Sequence, residues 1–141
     1  MKQGDGSMLA EDAALVAAQN SWKCVMSHDK EGWLSLMADD VLVEDPIGQG
    51  PTNPTGEGVR GKSALGEFYD QNIRDSQIHI ETHESYHAGL ESAHKLTLTT
   101  TLSNGVVSKV TSIFTYRLGE DGLITNLRGY WKLSDMSFSQ P

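Results

Sequence analysis

Residues 37–48 read MADDVLVEDPIG, and this stretch decides the fold. Val41–Glu44 is a short run of the residue types that favour strands. Asp45-Pro46 ends the run, because proline cannot donate a hydrogen bond to a strand ladder. The stretch therefore predicts a short strand that ends in an acidic side chain.

Two helices are predicted before this strand. Residues 8–28 begin with an alanine-rich segment of high helix propensity. Their apolar side chains then recur at steps of three and four, at Leu15, Ala18, Trp22, Val25 and Met26. Ser27 or Asp29 can cap a second, short helix that contains Trp33.

A loop, a helix and four strands are predicted after it. Residues 48–61, GQGPTNPTGEGVRG, indicate a loop over a pocket mouth or a surface excursion. Helical spacing returns over residues 62–72, and from Ile78 the pattern alternates as in strands, over 78–85, 94–102, 106–118 and 123–133. Asn104-Gly105 and Glu120-Asp121-Gly122 are turn signals, so the last three strands are predicted to pair antiparallel.

Helices followed by an antiparallel meander predict an α+β fold, in which a curved, mainly antiparallel sheet is wrapped by the N-terminal helices. A chain of 141 residues is long enough for one core. We expect a flexible tail over residues 1–8, a single domain over 9–135 and a C-terminal tail over 136–141.

Composition narrows the classes of partner. The net charge of −8 would repel phosphate backbones, so nucleic acid is not expected. The longest apolar runs are shorter than the roughly 20 residues that span a membrane, and residues 1–8 lack the apolar segment of a signal peptide. Cys24 is the single cysteine and is interpreted as a buried apolar side chain. We therefore expect a soluble cytoplasmic protein.

The stretch 37–48 resembles the ketosteroid isomerases, whose corresponding pattern is M-Y-A-D-D-x-x-V-E-D-P-F-G. The likeness spans roughly residues 21–133 and continues at Arg60-Gly61-Lys62, Phe68-Tyr69, Asn104-Gly105, Gly122-Leu123-Ile124 and Tyr130-Trp131. It points to the steroid Δ-isomerase or SnoaL-like branch of the superfamily named for nuclear transport factor 2. The resemblance implies the conical fold of that superfamily, usually a homodimer, and no cofactor.

The resemblance makes Asp45 the general base. An acid at the end of a strand, directly before a proline, is held by rigid backbone, and burial near Trp131 would raise its pKa modestly. The alternative is a turn-forming Asp-Pro dipeptide whose carboxylate is solvated.

The chain departs from the family at the oxyanion hole, which the family builds from a tyrosine and a protonated aspartate. Counting without gaps places Ser21 and Phe114 at these positions. Loss of one such donor typically costs on the order of 10²–10³ in turnover. Tyr116, Ser21 and Trp22 are the possible substitutes, and Tyr69 matches a tyrosine that supports the donor in several isomerases. Each could instead be a packing residue.

The pocket is predicted from strand alternation and the resemblance. The proposed lining residues are Val25, Tyr69, Ile78, Thr97, Thr99, Val110, Ser112, Phe114, Leu127, Gly129 and Trp131. The hydroxyls of Thr97, Thr99 and Ser112 would make the cavity more polar than a purely apolar steroid site. In the alternative, Leu96, Leu98 and Leu102 face the core and these hydroxyls are solvated.

The histidines and the paired acids do not predict a metal site. His79, His83 and His87 are spaced by four, which separates side chains along a strand, and His94 lies nearby. We interpret them as surface histidines and expect no metal. Asp39 and Asp40 are interpreted as structural.

Three functions remain open. The first is transfer of a proton α to a carbonyl of a steroid-like apolar ligand by Asp45, with weak classical isomerase activity. The second is binding of a steroid-like ligand without turnover. The third is a polyketide cyclase or dehydratase on the same fold, since one fold hosts many chemistries.

Overall fold

A computed structural model describes residues 9–140, so the predicted tail over residues 1–8 lies outside the described part of the chain. The three helices are α1 (Ala13–Met26), α2 (Lys30–Ser35) and α3 (Lys62–Asn72). The strands are β1 (Met37–Glu44), β2 (Val59–Arg60), β3 (Gln77–Ala88), β4 (Glu91–Thr101), β5 (Val107–Leu118), β6 (Ile124–Gly129) and β7 (Ser137–Ser139). A 3-10 turn over Leu133–Asp135 precedes β7.

The two N-terminal helices form where the sequence predicts them. The buried stripe of α1 contains Ala14, Ala18, Ser21, Trp22 and Val25, which recur with helical spacing. Of the two predicted caps, Asp29 begins α2, and its side chain accepts a hydrogen bond from the Gly32 backbone N–H at 2.9 Å.

The strands form one curved, unclosed seven-stranded sheet in the order β2-β1-β6-β5-β4-β3, with β7 paired to β5. The predicted antiparallel pairs β4–β5 and β5–β6 are present. The parallel pairing of β1 with β6, which sets Val43 beside Leu127, was not predicted. The α+β prediction with a mainly antiparallel sheet is confirmed.

Cross-strand register decides which side chains face the inside of the curve. Leu98 pairs with Ile80 on one side and Val110 on the other, and these three side chains share the concave face. Thr97 pairs with Thr111 on the opposite face, where their hydroxyl oxygens lie 2.6 Å apart. The register of β4 with β5 has no shift, so successive side chains alternate between the two faces along this pair.

The C-terminal segment differs from the prediction. Ser137–Ser139 pairs antiparallel with Val107–Lys109 as strand β7. These residues belong to the domain, so the predicted tail over 136–141 is wrong for them. Three residues rich in serine have too short a pattern to predict a strand.

The core lies between the concave face and the helices. Its largest side chains that are almost fully buried include Met37, Leu65, Leu96, Leu118 and Ile124. None of the helices within residues 9–140 is long and apolar enough to cross a membrane.

Candidate active site

A cavity of about 310 Å³ lies between the concave face, α1, α3 and the loop that follows β1. Its wall is mainly apolar, and Pro51 and Thr52 of the predicted mouth loop belong to it. Asp45 is the one carboxylate among its lining residues. A cleft of this size with one acidic group is a typical small-molecule site.

Asp45 is fixed at the end of β1. Trp131 Nε1 donates a hydrogen bond to Asp45 Oδ1 at 2.7 Å, and the Thr52 hydroxyl donates to the Asp45 backbone oxygen. The parallel pairing of β1 with β6 makes the first contact possible, since Trp131 follows β6. No described residue donates to Oδ2, which leaves that oxygen available to a ligand.

The environment makes Asp45 a stronger base than an ordinary carboxylate. Desolvation by burial raises its pKa, and the hydrogen bond from Trp131 lowers it in part. Burial is the larger effect because it removes water from a charged group.

Gly129 leaves the space in which Asp45 and Trp131 meet. A Cβ at this position would lie 2.8 Å from Phe114 Cε2, 2.9 Å from Asp45 Oδ1 and 3.0 Å from Trp131 Nε1. Any side chain there would push these groups apart, because real Cβ contacts are longer.

Tyr116 is the hydroxyl that the site presents beside Asp45. It is buried, lines the cavity, and its oxygen accepts a hydrogen bond from Trp22 Nε1 at 2.9 Å. Burial raises its pKa far above the ordinary value, interactions with Trp22 and Ser21 lower it in part, and the charge of Asp45 adds to the rise. The phenol is therefore protonated at neutral pH.

Ser21 is a hydrogen-bond neighbour of this phenol. Trp33 Nε1 donates to Ser21 Oγ at 2.9 Å, and Ser21 is close enough to Tyr116 to influence its pKa. A phenol from β5 thus reaches the region next to residue 21, the position at which the resemblance predicts a phenol on the helix. Of the three predicted donors, Trp22 donates its N–H to Tyr116, and Ser21 also hydrogen-bonds the Tyr116 hydroxyl.

His94 is a correction, since the structure buries it at 1% exposure and the sequence interpretation placed it on the surface. Ser92 Oγ donates to the Ala14 carbonyl, so it accepts from His94 Nε2, and Ser85 Oγ donates to His94 Nδ1. The ring contacts Trp22 edge-on, with centroids 4.8 Å apart. Desolvation, with a smaller effect of His87, lowers its pKa to about 4.

The predicted pocket residues divide into two groups. The structure places Val25, Ile78, Val110, Phe114, Leu127 and Trp131 along the cavity wall. Thr97, Thr99, Ser112, Tyr69 and Gly129 are corrections, because none of them lines the cavity. Thr97 and Thr99 lie on the outer face, the Ser112 hydroxyl donates to the Tyr130 carbonyl, and Tyr69 packs against Trp33.

The residues that the pocket prediction missed include Phe68, Gln71 and Asn72 of α3 and one face of β4. Leu96, Leu98, Thr100 and Leu102 line the cavity, so the alternative face of this strand is the inner one. The leucines at alternate positions of this strand were the sequence signal that could have identified its inner face. Met136 and Phe138 were missed because they follow the predicted domain end.

The described residues contain no group of three or more histidine, cysteine or acidic side chains arranged to hold a metal ion. His83 hydrogen-bonds the Thr97 hydroxyl at 2.7 Å on the outer face, and His79 is exposed. The absence of a metal site stays a prediction.

A family model described as a SnoaL-like domain matches residues 18–127. The chain belongs to the SnoaL-like family. This confirms the resemblance on which the site was predicted. No curated protein matches the sequence of this SnoaL-like chain significantly.

Solved structures resemble the SnoaL-like chain over nearly its whole length. A Δ5-3-ketosteroid isomerase from Mycobacterium sp. is 50% identical, with 92% of this chain and 100% of that chain covered and a TM-score of 0.88. Rv0760c from Mycobacterium tuberculosis is 46% identical, with 94% and 100% covered and a TM-score of 0.88. A second structure of Rv0760c contains estradiol-17β-hemisuccinate.

A computationally designed binder of 17-OHP is also 46% identical, with 90% of this chain and 98% of that chain covered and a TM-score of 0.88. Relatives of this SnoaL-like chain therefore include both an isomerase and steroid-binding proteins. A homodimer, a cytoplasmic location and the lack of nucleic-acid binding stay predictions.

Proposed function

We propose that the protein transfers a proton α to a carbonyl of a flat, steroid-like ligand, with Asp45 as base and Tyr116 as hydrogen-bond donor to the enolate. The observation that carries this proposal is that a desolvated carboxylate and a protonated phenol line one apolar cavity.

The reaction follows from these two groups. Asp45 Oδ2 takes the α proton, the electron pair of the C–H bond moves toward the carbonyl, and charge develops on the carbonyl oxygen. The double bond shifts when Asp45 returns the same proton to a carbon further along the conjugated system. A cavity with apolar walls keeps that proton from water during the transfer.

The hydrogen-bond network supports Tyr116 as the donor. An indole N–H can only donate, so the Tyr116 oxygen must accept from Trp22. Ser21 also hydrogen-bonds Tyr116 and lowers its pKa, which is the effect of a hydroxyl that donates to the phenol oxygen. With Trp22 and Ser21 both donating to this oxygen, the phenol proton is available to a ligand oxygen. Trp33 occupies the Ser21 oxygen in the same way.

One donor is fewer than the family's two. Phe114 stands where the family has its protonated aspartate, and its ring lies against the site of Asp45 and Gly129. We therefore expect classical isomerisation to be slower than with both donors, by a factor on the order of 10².

The test measures isomerisation of androst-5-ene-3,17-dione by the absorbance of the conjugated ketone that forms. We expect Asp45→Asn to abolish turnover and Tyr116→Phe to lower kcat by a factor on the order of 10². Both variants should retain affinity for the product within about tenfold, or roughly 1.4 kcal/mol. Tyr86→Phe is the matched control, because Tyr86 is exposed and does not line the cavity. Unchanged turnover in Asp45→Asn would refute the assignment of the base.

Binding without turnover is the second candidate, and Ser21 and Phe114 favour it because neither supplies the family's donor. If the unmodified protein binds the steroid without converting it, Phe114→Asp should create turnover, since an aspartic acid in this cavity would stay protonated and donate. Lys109→Asp is the control on the exposed face of the same strand. If a folded Phe114→Asp variant binds the steroid but does not convert it, the result supports binding without turnover.

A further inference from the structure

The end of the cavity remote from Asp45 carries hydroxyl groups. Ser108 and Thr100 are cross-strand partners on the concave face of β5 and β4, and both line the cavity. Ser76, just before β3, lines it at the same end of the sheet. The rest of the wall at this end is apolar and includes Ile78, Leu102 and Phe138.

The Ser108 hydroxyl is buried without a partner. Ser108 is 7% exposed, and its hydroxyl has no hydrogen bond among residues 9–140. Ser76 is 9% exposed, and its hydroxyl is unpartnered within the same range, although its carbonyl accepts from His28 Nε2. Buried polar groups in native proteins nearly always have a partner, so these hydroxyls are arranged for one that comes from outside the chain.

The distance to Asp45 requires an elongated ligand. Ser108 and Phe114 lie six residues apart on β5, which is roughly 20 Å along the path of the strand at about 3.3 Å per residue. The curve of the sheet and the inward reach of the side chains make the separation across the cavity shorter than this path. Phe114 contacts the space beside Asp45 and Trp131. A ligand that reaches both ends must therefore be longer than a single ring, as a fused-ring molecule is.

The residues at this end also define the charge of the group they can bind. No lysine or arginine among residues 9–140 lines the cavity, so a carboxylate would lack a counterion from these residues. A hydroxyl side chain can both donate and accept, and two adjacent ones can contact the same oxygen. Strand β7 extends the sheet beside Ser108, which pairs with Phe138.

We propose that Ser108 and Thr100, with Ser76 beside them, form a second polar subsite that binds a neutral carbonyl or hydroxyl at the far end of the ligand. This inference rests on the proposed function, because the first carbonyl of the ligand lies at Asp45 and Tyr116. The substrate class is an elongated polycyclic molecule with an oxygen at each end. The subsite orients it so that the correct carbonyl meets the base.

The test compares two steroids that differ in one oxygen. Dissociation constants of androst-4-ene-3,17-dione and androst-4-en-3-one are measured by quenching of tryptophan fluorescence, for the unmodified protein and for Ser108→Ala and Ser108→Ala/Thr100→Val. For each protein we take the ratio of its dissociation constants for the two steroids. Comparing this ratio between proteins cancels the difference in water solubility between the steroids. We expect the variants to lose about three- to tenfold of the preference for the dione, the usual value of a neutral hydrogen bond.

Affinity for the steroid without the second oxygen should stay the same or improve, because the variants remove a buried unpaired hydroxyl. Thr99→Val is the matched control, since Thr99 lies on the outer face of the same strand, and it should leave the ratio unchanged. Ser108→Ala removes a single oxygen atom, so the test does not depend on folding of the double variant. A ratio that both variants leave within about twofold of the unmodified protein would overturn the subsite alone. Failure of every protein to bind either steroid would overturn the proposed function together with it.

Discussion

Replacement of Gly129 by alanine tests whether the contact between Asp45 and Trp131 depends on the missing side chain. The added Cβ would lie at 2.8–3.0 Å from Phe114, Asp45 and Trp131, and at least one of the three must move. Overpacking of this kind costs about 1–3 kcal/mol. Complete loss of a hydrogen bond to a carboxylate costs about 1.5–3 kcal/mol. Because movement that relieves the clash also lengthens the bond, we expect a loss of about 2–4 kcal/mol in the free energy of unfolding.

The same substitution at Gly66 is the control. Gly66 lies inside α3, and its Cβ would meet Lys30 Cε at 3.6 Å and Leu34 Cδ1 at 3.7 Å, which are ordinary contacts. Alanine in a helix interior is better than glycine by about 0.5–1 kcal/mol. Gly66→Ala should therefore stabilise the protein, while Gly129→Ala destabilises it.

Urea unfolding of the two variants and the unmodified protein measures both effects. The pH dependence of turnover provides a second readout, because the hydrogen bond from Trp131 lowers the pKa of Asp45. The apparent pKa of the base should rise in Gly129→Ala and stay unchanged in Gly66→Ala. A Gly129→Ala protein within about 0.5 kcal/mol of the unmodified one would refute the reasoning about this contact.

Two further predictions concern pH. His94 has a pKa of about 4 in the folded protein and 6.5 ordinarily, so the unfolded chain binds its proton first as the pH falls. Its contribution to stability is complete above about pH 6.5 and is lost toward pH 4, by at most about 3 kcal/mol, and His94→Gln should flatten this part of the curve of unfolding free energy against pH. Asp45 affects the free energy of unfolding in the opposite sense, because its pKa is raised in the folded protein. Its contribution to stability is complete below its ordinary pKa of 3.8 and is lost as the pH rises through the folded pKa. Asp45→Asn should therefore raise the melting temperature at pH 7 more than at pH 4, and an equal change at both values would contradict the raised pKa.

The order of elements could be predicted because each depends on residues close together in the chain. The helix over residues 62–72 has the predicted bounds, and the hairpin at Asn104-Gly105 joins β4 to β5 as its turn signal indicates. The bounds of β3 extend further than predicted, to Ala88, because charged and histidine side chains obscure the alternation where both faces are exposed. Strand β2 has only two residues, too few for any periodicity.

The site was predicted less completely than the fold. Asp45 could be recognised from its place before Pro46 and from the resemblance of its neighbours. The lining of β4 was assigned to the wrong face, since a shift of one residue exchanges the two faces of a strand. Thr97, Thr99, Leu96 and Leu98 all fit an alternating pattern, and only packing against the helices distinguishes the two sides.

The sequence by itself therefore determined the α+β class, the meander and the position of the acid at the end of β1, because these follow from local propensity, turns and residue adjacency. Only the tertiary structure decided that Trp131 donates to Asp45 and that Trp22 donates to Tyr116, residues 86 and 94 positions apart. Both contacts depend on how β1 pairs with β6 and how α1 packs on the concave face. Alternation along a strand specifies two faces, but burial against another element chooses the inner one.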